Sequence, residues 1–371
     1  GLGQELLDMT CFWHPHIAAR NNLGGIGYLA RSKGKLPSGR PNEVFQSLYG
    51  AFLNDEYAYT LADGRKIHQA IQPLFQTFPD AQSKTSIKAM GMEGTLWHTL
   101  QRFSDAPWGE MHLQPLADGV GTVPGLTPPG APQDKIGFYF RPTPFDFDKW
   151  TALSGEDGWG FNVKDSERMG EGEKLARDEK KIYNFFWAPM KSVHSAFDQL
   201  SVAFNQSGGL LPIYDERSIR EHGLRRLECP TEYCEYTSDQ DQQQGANTPA
   251  QRHRGNTKAN KLYEMLVRRT LQLQRWFGYE FFEGKHTTRG RIGPSREHGA
   301  RIGSVVTRKR DDWQFYCTGL TQQWSAPSGP HTTTWTWERG HSPKAYRKWW
   351  QQKQAEGATQ QGAALLKSIG L

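Results

Sequence analysis

The sequence has 371 residues, 36% of them hydrophobic, and a mean hydropathy of −0.73. Its 13 Trp, 13 Tyr and 19 Phe exclude a disordered chain, while 39 Gly and 21 Pro indicate many turns and long loops between β-rich domains. The net charge of +6 is compatible with many kinds of partner, four cysteines are too few for a disulfide scaffold, and no apolar run has the ~18 residues that a transmembrane helix needs.

The first part of the chain predicts two amphipathic helices. Residues 43–52 carry apolar side chains at four-residue spacing after Pro41, and residues 94–104 carry a second apolar stripe that ends before Pro107. The pattern then changes to that of a strand over 110–114, a Pro/Gly-rich loop over 119–132, and a strand from 136 that ends at Pro142. We expect these two strands to pair.

The second part begins after a charged, Gly-rich segment, 151–182, which predicts an exposed loop. Residues 181–228 are aromatic and typical of strands, and the Gln-rich segment 238–260 predicts a polar loop. The clearest helix follows over 261–280, because apolar residues recur there at three-, four- and seven-residue steps. A strand over 301–307 is predicted next.

The stretch 311–340 predicts a hairpin with a turn over 326–330. Trp313, Phe315 and Cys317 alternate with polar residues on the first strand, and Trp335 and Trp337 do so on the second. We expect the two tryptophans to pack inward against the long helix around Leu266 and Leu273, leaving Thr334 and Thr336 facing a wetter surface.

The sequence contains no common catalytic or nucleotide-binding motif. His14 and His16 flank a proline without a nearby acid, and Cys229 and Cys234 resemble half of a metal site without a second pair. Carboxylates such as Glu110 could be imagined as an acid/base pair with Asp146 or Asp148, but the sequence gives no carboxyl separation. No catalytic, cofactor-binding or metal-binding residue is therefore predicted.

Basic and aromatic residues leave two interpretations open. The cluster 307–310 and the arginines from Arg289 to Arg301 could contact phosphate or guard an exposed strand edge. The aromatic side chains could stack on single-stranded bases, but their strand-like alternation favours a sheet core or a protein interface.

Five segments, in order, resemble motifs of the central baseplate hub proteins of contractile phage tails and related injection systems. Pro107 and Glu110 match the first motif, where Trp108 and Gly109 depart from the commonest residues, and RPTPF at 141–145 matches the second. The third, in YDERSIREHGLRRLE, is carried by Asp215, Ser218, Ile219, Gly223 and Arg225, with His222 where Tyr is usual.

The last two resembling segments follow the long helix. In ARIGSVV, Ile302 and Gly303 match a strand of the family, and Ser304 occupies the position where the family has an acid. The hairpin resembles the family's closing pair of strands. The residues that carry the resemblance across all five segments, named as structural motif residues, are Pro107, Glu110, Arg141, Pro142, Pro144, Phe145, Ser218, Ile219, Gly223, Arg225, Ile302, Gly303, Phe315, Tyr316, Trp335, Trp337, Arg339 and Gly340.

The resemblance implies an α+β, β-rich fold with two tube-protein-like antiparallel β-barrel domains, packing helices and long loops. The first barrel would occupy the N-terminal α+β region, 1–150, and be incomplete at its N-terminus; the second would occupy 183–345, before a C-terminal tail at 346–371. It also implies a structural virion protein of the tail baseplate, made in the host cytoplasm, without enzymatic activity, cofactor or membrane partner.

The partners that the resemblance implies are two further copies in a homotrimer, together with tail tube, spike, baseplate wedge and tape-measure proteins. The hub would join the hexameric tube to the trimeric spike and line the channel through which the genome passes without specific binding. Two other functions stay open from the residues alone: a tail-associated cell-wall hydrolase, and a nucleic-acid-binding module.

Overall fold

The computed structural model describes a little under half of the chain. The described residues are 38–52, 71–76, 85–86, 96–115, 136–147, 150, 160–163, 174–177, 181–189, 212–231, 233, 265–289, 302–308, 311–324 and 331–357. Within these ranges no helix is both long and apolar enough to cross a membrane.

The fold of the described residues is α+β, with five helices and several sheets. The helices are α1 (Pro41–Phe52), α2 (Leu96–Phe103), α3 (Glu216–His222), α4 (residues 265–277) and α5 (Pro343–Gly357). The strands are β1 (Ser38–Gly39), β2 (Ile71–Phe75), β3 (Thr85–Ser86), β4 (Gly109–Pro115), β5 (Ile136–Pro142), β6 (Gly160–Val163), β7 (Lys174–Arg177), β8 (Phe185–Trp187), β9 (Ile213–Tyr214), β10 (Arg226–Glu228), β11 (Phe282–Arg289), β12 (Val305–Arg308), β13 (Trp313–Trp324) and β14 (His331–His341).

The chain forms two compact units that are discontinuous in sequence. The first comprises Gly1–Met111, Phe138–Thr143 and Tyr183–Gln274, and the second comprises His112–Gly137, Pro144–Ile182 and Arg275–Leu371. Each unit combines distant parts of the chain, because strands that are far apart in the sequence pair with one another.

The first unit contains small sheets and an aromatic core around α1. The three-stranded sheet of order β10-β8-β9 lies wholly within it. Of the sheet of order β2-β5-β4, this unit contains β2, residues 109–111 of β4 and residues 138–142 of β5. Helix α1 starts with Pro41, which needs no hydrogen-bond partner there, and Glu43 accepts the Arg40 N–H at 2.9 Å. The fully buried Phe45 then stacks on Phe140 of β5 with ring centroids 3.9 Å apart, so the helix is fixed to the sheet by rings.

The second unit contains a six-stranded sheet of order β6-β12-β13-β14-β11-β7. All neighbours are antiparallel except β12 and β6, which are parallel. In the described part of the chain β6 and β7 are the two edges, so the sheet is open there and the predicted closed barrel is not confirmed.

Strand β14 contains a β-bulge at Arg339-Gly340. Gln314 pairs with His341 and Tyr316 pairs with Glu338, so an advance of two residues along β13 corresponds to three residues along β14. The register between β14 and β11 shifts at the same place. Arg339 is the extra residue, because its φ of 57° lies in the left-handed region. A Cβ on Gly340 would overlap the Phe315 ring and lie 2.9 Å from the Phe282 carbonyl oxygen, so only glycine fits.

Both faces of the sheet are covered near this bulge. On one face Val306, Phe315 and Cys317 form a fully buried cluster with Trp335 and Trp337. On the other face Tyr316 packs against Trp150 and Trp276, with ring centroids 5.9 and 5.4 Å away. The expected burial of the two tryptophans is therefore observed, while the face of β13 expected to be polar is buried as well.

Most of the elements predicted from the sequence are present. Helices α1, α2 and α4, strands β4, β5 and β12, and the β13–β14 pair are confirmed within a few residues, and β4 pairs with β5 as expected. The turn at 326–330 and the loop at 238–260 lie outside the described residues. Leu266 and Leu273 belong to the first unit, and their contact with the two tryptophans stays a prediction.

Three features were not predicted. Strands β6 and β7 lie within 151–182, which was expected to be an exposed loop. The sequence did not indicate them, because an edge strand of four residues can be charged and still pair with a long partner. Helix α5 occupies most of the first half of the expected C-terminal tail. Helix α3 lies in a segment for which only strands were expected.

Replacing Gly340 with Ala should destabilise the second unit by about 2 kcal/mol or more, because the new methyl group overlaps a fully buried ring. Gly50→Ala is the matched control: Gly50 lies in α1, a Cβ added there would meet nothing within 4 Å, and the helix should gain up to about 1 kcal/mol from propensity. Urea unfolding followed by tryptophan fluorescence measures both. Equal midpoints for Gly340→Ala and the native protein would contradict the close approach.

Candidate functional site

The first two motif segments join where strand β4 begins and strand β5 ends. Glu110 of β4 accepts a hydrogen bond from Arg141 Nε of the adjacent β5, and the Arg141 side chain is only 6% exposed. Such a pair favours this register of the two strands, because a shift would separate the buried Arg141 charge from the Glu110 carboxylate.

A second set of bonds joins the backbone of the same segments. Thr143 Oγ1 donates to the Pro107 carbonyl at 2.6 Å, and the Thr143 N–H donates to the Trp108 carbonyl at 2.9 Å. Prolines have no N–H, so Thr143 provides the only backbone donor in the run from Pro142 to Pro144. The motifs around Glu110 and Arg141, which are 31 residues apart in the chain, therefore form one clasp.

Beside this clasp lies a buried ion pair that was not expected from the sequence. Asp105, 4% exposed, contacts Arg269 of helix α4 through Oδ2, and Thr231 Oγ1 donates to the same oxygen at 2.9 Å. The guanidinium carbon of Arg269 lies 4.8 Å from the centre of the Trp108 ring, and Trp108 Nε1 donates to the Arg269 carbonyl at 3.3 Å. The basic charge is thus held between a carboxylate and an indole.

A signal for this pair was present in the sequence. Arg269 lies four residues after Met265 and four before Leu273, on the apolar stripe of the helix. A charged residue on a buried stripe requires a buried partner. The identity of that partner as Asp105 could not be read, because Asp105 lies 164 positions away in the chain.

The third motif builds a capped helix. Asp215 is the N-cap of α3 and accepts the Ser218 N–H at 3.1 Å, while Gly223 ends the helix with a φ of 77° and donates to the Ile219 carbonyl at 2.9 Å. Asn184 then fixes the chain that leaves the helix. Its Nδ2 donates to the Gly223 carbonyl at 2.7 Å, and its Oδ1 accepts the Arg225 N–H at 2.8 Å. The fully buried Asn184 was missed, since nothing near it in the sequence resembles a motif.

The fourth motif is a turn. Gly303 has a φ of 84°, and its N–H donates to the Cys317 carbonyl at 2.7 Å, while the Cys317 N–H donates to the Ser304 carbonyl at 2.9 Å. Ile302 and Gly303 thus precede β12, which begins at Val305, rather than lying within the expected strand.

The last motif ends in a buried cluster around the bulge. The Arg339 guanidinium carbon lies 4.5 Å from the centre of the Phe277 ring and within 5.4 Å of those of Trp276 and Phe281. His341, two residues later, is 2% exposed and lies 2.8 Å through Nδ1 from the Arg339 carbonyl. Burial lowers the pKa of His341 to about 4, although the bond to the Arg339 carbonyl opposes the shift.

The remaining motif residues fill the same second-unit core. Phe145 is buried and meets Trp276 edge to face at 5.3 Å, and the Pro144 carbonyl accepts the Trp150 indole N–H at 2.8 Å. These rings replace the aliphatic side chains that the composition lacks.

The described residues do not form the chemical sites considered from the sequence. Burial, reinforced by the negative charge of Asp105, raises the pKa of Cys229 to about 11, and burial raises that of Cys317 to about 12, so both thiols are protonated and poorly nucleophilic at neutral pH. In the described ranges no three His, Cys, Asp or Glu side chains gather as a metal site would require. His14, His16, Cys234 and Asp148 lie outside the described residues, and so do Arg291, Arg296 and Arg301.

The basic cluster at 307–310 is also structural where it is described. Arg308 is 4% exposed and binds both carboxylate oxygens of Asp311, with Nε to Oδ1 at 2.8 Å. Strand β12, which carries Arg308, lies between β6 and β13. Arg308 is therefore engaged within the fold, on an inner strand of this sheet.

Comparison with known proteins gives only distant similarity. No protein-family model and no curated protein matches the sequence. The prophage tail protein gp18 of Listeria monocytogenes EGD-e aligns over 86% of this chain and 69% of its own, at 10% identity and a TM-score of 0.36. The 43 kDa tail protein of prophage MuSo2 from Shewanella oneidensis aligns over 86% and 73%, at 10% identity and a TM-score of 0.35. Alignments at these TM-scores do not establish a common fold.

Asp105→Asn should destabilise the first unit by about 3 kcal/mol, because it keeps the shape of the side chain but leaves the Arg269 charge buried without its counter-ion. Glu216→Gln is the control: it removes the carboxylate of the exposed Glu216–Arg220 pair on α3 and should cost less than about 0.5 kcal/mol. Denaturant unfolding gives both values. A similar small cost for both would show that the buried pair does not hold the unit together.

The buried His341 should make the second unit less stable in acid. The unfolded chain binds a proton near pH 6.5 and the folded one only near 4, so this contribution is complete above pH 6.5 and is lost as the pH falls toward 4, by on the order of 3 kcal/mol. His341→Phe should flatten the slope of unfolding free energy between pH 4 and 6.5. An unchanged slope in the variant would contradict this assignment.

Proposed function

We propose that the protein is a structural component of a phage tail, a hub subunit of the baseplate in the virion. In this proposal three copies form a ring that joins the hexameric tail tube to the trimeric spike, contacts the baseplate wedge and tape-measure proteins, and surrounds the channel for the genome. The subunit performs no chemical reaction and needs no cofactor.

The observation that carries the proposal is what the five resembling segments do in this chain. Each segment fixes the course of the backbone. The first two form the clasp at Glu110 and Arg141, and the others form a capped helix at Gly223, a turn at Gly303 and a bulge at Arg339-Gly340. A set of motifs whose residues are used for packing and chain reversal fits a protein whose function is its shape. Catalytic motifs instead present reactive groups to a cleft.

The bulge also supports the proposed tube-like domains. A sheet closes into a barrel only if its strands tilt and curve, and bulges increase both twist and bending. The bulge in β14 shifts the register on both of its neighbours, β11 and β13, at the centre of the six-stranded sheet. We propose that this sheet is the described part of one tube-like barrel, and that the β2-β5-β4 sheet belongs to the other.

The aromatic cores fit a permanent assembly. Rings such as Phe45, Trp150 and Trp335 are fully buried, whereas few aliphatic residues are available to extend the cores. In obligate rings neighbouring subunits complete each other's apolar surfaces, which lets a chain with 36% hydrophobic residues fold stably.

The purified 371-residue chain should be a trimer. Obligate interfaces bury on the order of 1,500 Å² or more, so light scattering coupled to size-exclusion chromatography should give three times the mass of 42.2 kDa, unchanged on dilution to low micromolar concentration. The same sample should release no fragments from peptidoglycan.

Two results would contradict the proposal. A monodisperse monomer that persists at high concentration, and also in the presence of tube and spike proteins, would exclude the ring. Peptidoglycan release that is lost in Glu110→Gln or Cys229→Ala would show that the protein is an enzyme.

A further inference from the structure

Strand β10 is an edge strand of its sheet in the part of the chain that the structure describes. Its neighbour there is β8 alone. The Arg225 carbonyl accepts a hydrogen bond from the first residue of β8 at 3.2 Å, and the Cys229 N–H donates to the last at 3.0 Å. Since backbone groups alternate in direction along a strand, the N–H and C=O of Arg226 and Glu228 face away from β8.

The segment around β10 also exposes apolar side chains. Leu224, two residues before Arg226, is 52% exposed, and Pro230, two residues after Glu228, is exposed as well. Pro230 has no N–H, so the row of backbone donors on this edge ends at Glu228. A short edge strand that is exposed and has apolar ends is a surface to which another strand can add.

The side chains on this edge match those of a second copy of the chain. When two β10 strands pair antiparallel about a two-fold axis through Leu227, Arg226 of each copy lies opposite Glu228 of the other. In the same register Leu224 lies opposite Pro230. A register moved by two residues would instead place Arg226 opposite Arg226, or Glu228 opposite Glu228, and like charges directly opposite each other destabilise a ladder.

The backbone favours the same register. In an antiparallel ladder, two residues that exchange both hydrogen bonds lie directly opposite each other. Arg226 and Glu228 are the residues of β10 whose backbone groups face the edge, so pairing about Leu227 satisfies these groups in both copies. A shift by one residue would place them opposite groups that already bond to β8.

The charge pattern differs from that of an edge protected against pairing. Protected edges carry like charges, above all Lys, which repel a second copy. On β10 the two exposed charges have opposite signs, and in the described part of the chain neither has an ion-pair partner, whereas both exposed arginines of α3 pair with glutamates of α3. The Arg226 guanidinium carbon lies 5.5 Å from the centre of the Phe185 ring of β8, which holds this charge over the sheet face that Glu228 shares.

We propose that the β10 edge binds the β10 edge of a second copy of this chain, antiparallel, about a two-fold axis through Leu227. The contact joins the two β10-β8-β9 sheets into one continuous sheet. It goes beyond the proposed three-fold ring, because a two-fold contact adds one partner to each copy and so doubles whichever assembly the chain forms. β10 has only three residues, so the buried area is well below about 1,200 Å² and the contact is transient, absent at low micromolar concentration.

Sedimentation equilibrium of the 371-residue protein over about 5 to 500 µM tests the contact, in the range where transient contacts form. The mass should approach twice the value found at the lowest concentration. The mass in dilute solution reports on the hub proposal, since it distinguishes a trimer from a monomer. The ratio of the masses at high and low concentration reports on the β10 edge, so failure of one proposal is distinguishable from failure of the other.

Charge reversal tests the register. Arg226→Glu and Glu228→Arg each place like charges opposite each other on both sides of the two-fold axis, and each should weaken doubling at least about tenfold. The double variant Arg226→Glu/Glu228→Arg restores opposite charges and should return the dissociation constant to within about threefold of the native value. Two solvated charges without a partner strand would give no such rescue.

The matched control is Arg217→Glu/Glu221→Arg, which reverses an exposed ion pair of α3 and should leave doubling within about twofold of the native protein. Unfolding midpoints of all variants are measured in parallel, so that a loss of folding cannot imitate a loss of association.

Three results would overturn the proposal. The first is a mass that stays constant over the whole concentration range. The second is a double variant that associates no better than the two single reversals. The third is slow hydrogen exchange of the Arg226 and Glu228 amides at the lowest concentration, which would show that another segment already covers this edge.

Discussion

The buried Arg269 charge joins three segments of the first unit that are distant in the chain. Its guanidinium is held by the Asp105 carboxylate, the Thr231 hydroxyl and the Trp108 ring, which lie far from Arg269 in the chain. A buried charge that loses its partner costs several kcal/mol, so all these segments must be in place together. The Pro107 and Trp108 carbonyls next to this pair then receive Thr143, which links the ion pair to the clasp between β4 and β5.

The second unit depends on a different device, the bulge at Arg339-Gly340. The extra residue in β14 directs the Arg339 side chain into a group of rings on one face, while Phe315 occupies the space that a side chain on Gly340 would need. Backbone geometry and ring packing thus replace the aliphatic core of an ordinary domain. In both units the residues that resemble hub motifs serve turns, caps and strand junctions, which is why we infer a structural function.

The predictable part of the fold was the part encoded by local periodicity. Helices α1, α2 and α4 carry an apolar stripe, and β13 and β14 alternate, so their sequences alone specify them. Helix α5 was missed because only Tyr346 and the neighbouring tryptophans mark its buried face among many Gln and Lys. Strands β6 and β7 were missed because four-residue edge strands are stabilised by their partners, β12 and β11, which lie more than 100 residues away in the chain.

Residues of the candidate site could be singled out from the sequence, but the contacts between them could not be predicted. The motif residues Glu110 and Arg141 were singled out from the sequence, yet their contact follows only from the β4–β5 register. Asp105, Asn184 and Thr231 each bind at least one partner 38 or more positions away, and a single sequence does not reveal such long-range contacts. Buried polar residues of this kind are therefore found from structure first.

Electron cryomicroscopy of tail particles that contain this protein tests the proposed hub role most directly. We predict a threefold ring at the tip of the tail tube, in which each subunit keeps the clasp between Glu110 and Arg141 and the buried Trp335 and Trp337. A map that places single copies elsewhere on the particle, or that shows the two tryptophans facing outward with Thr334 and Thr336 buried, would contradict this role.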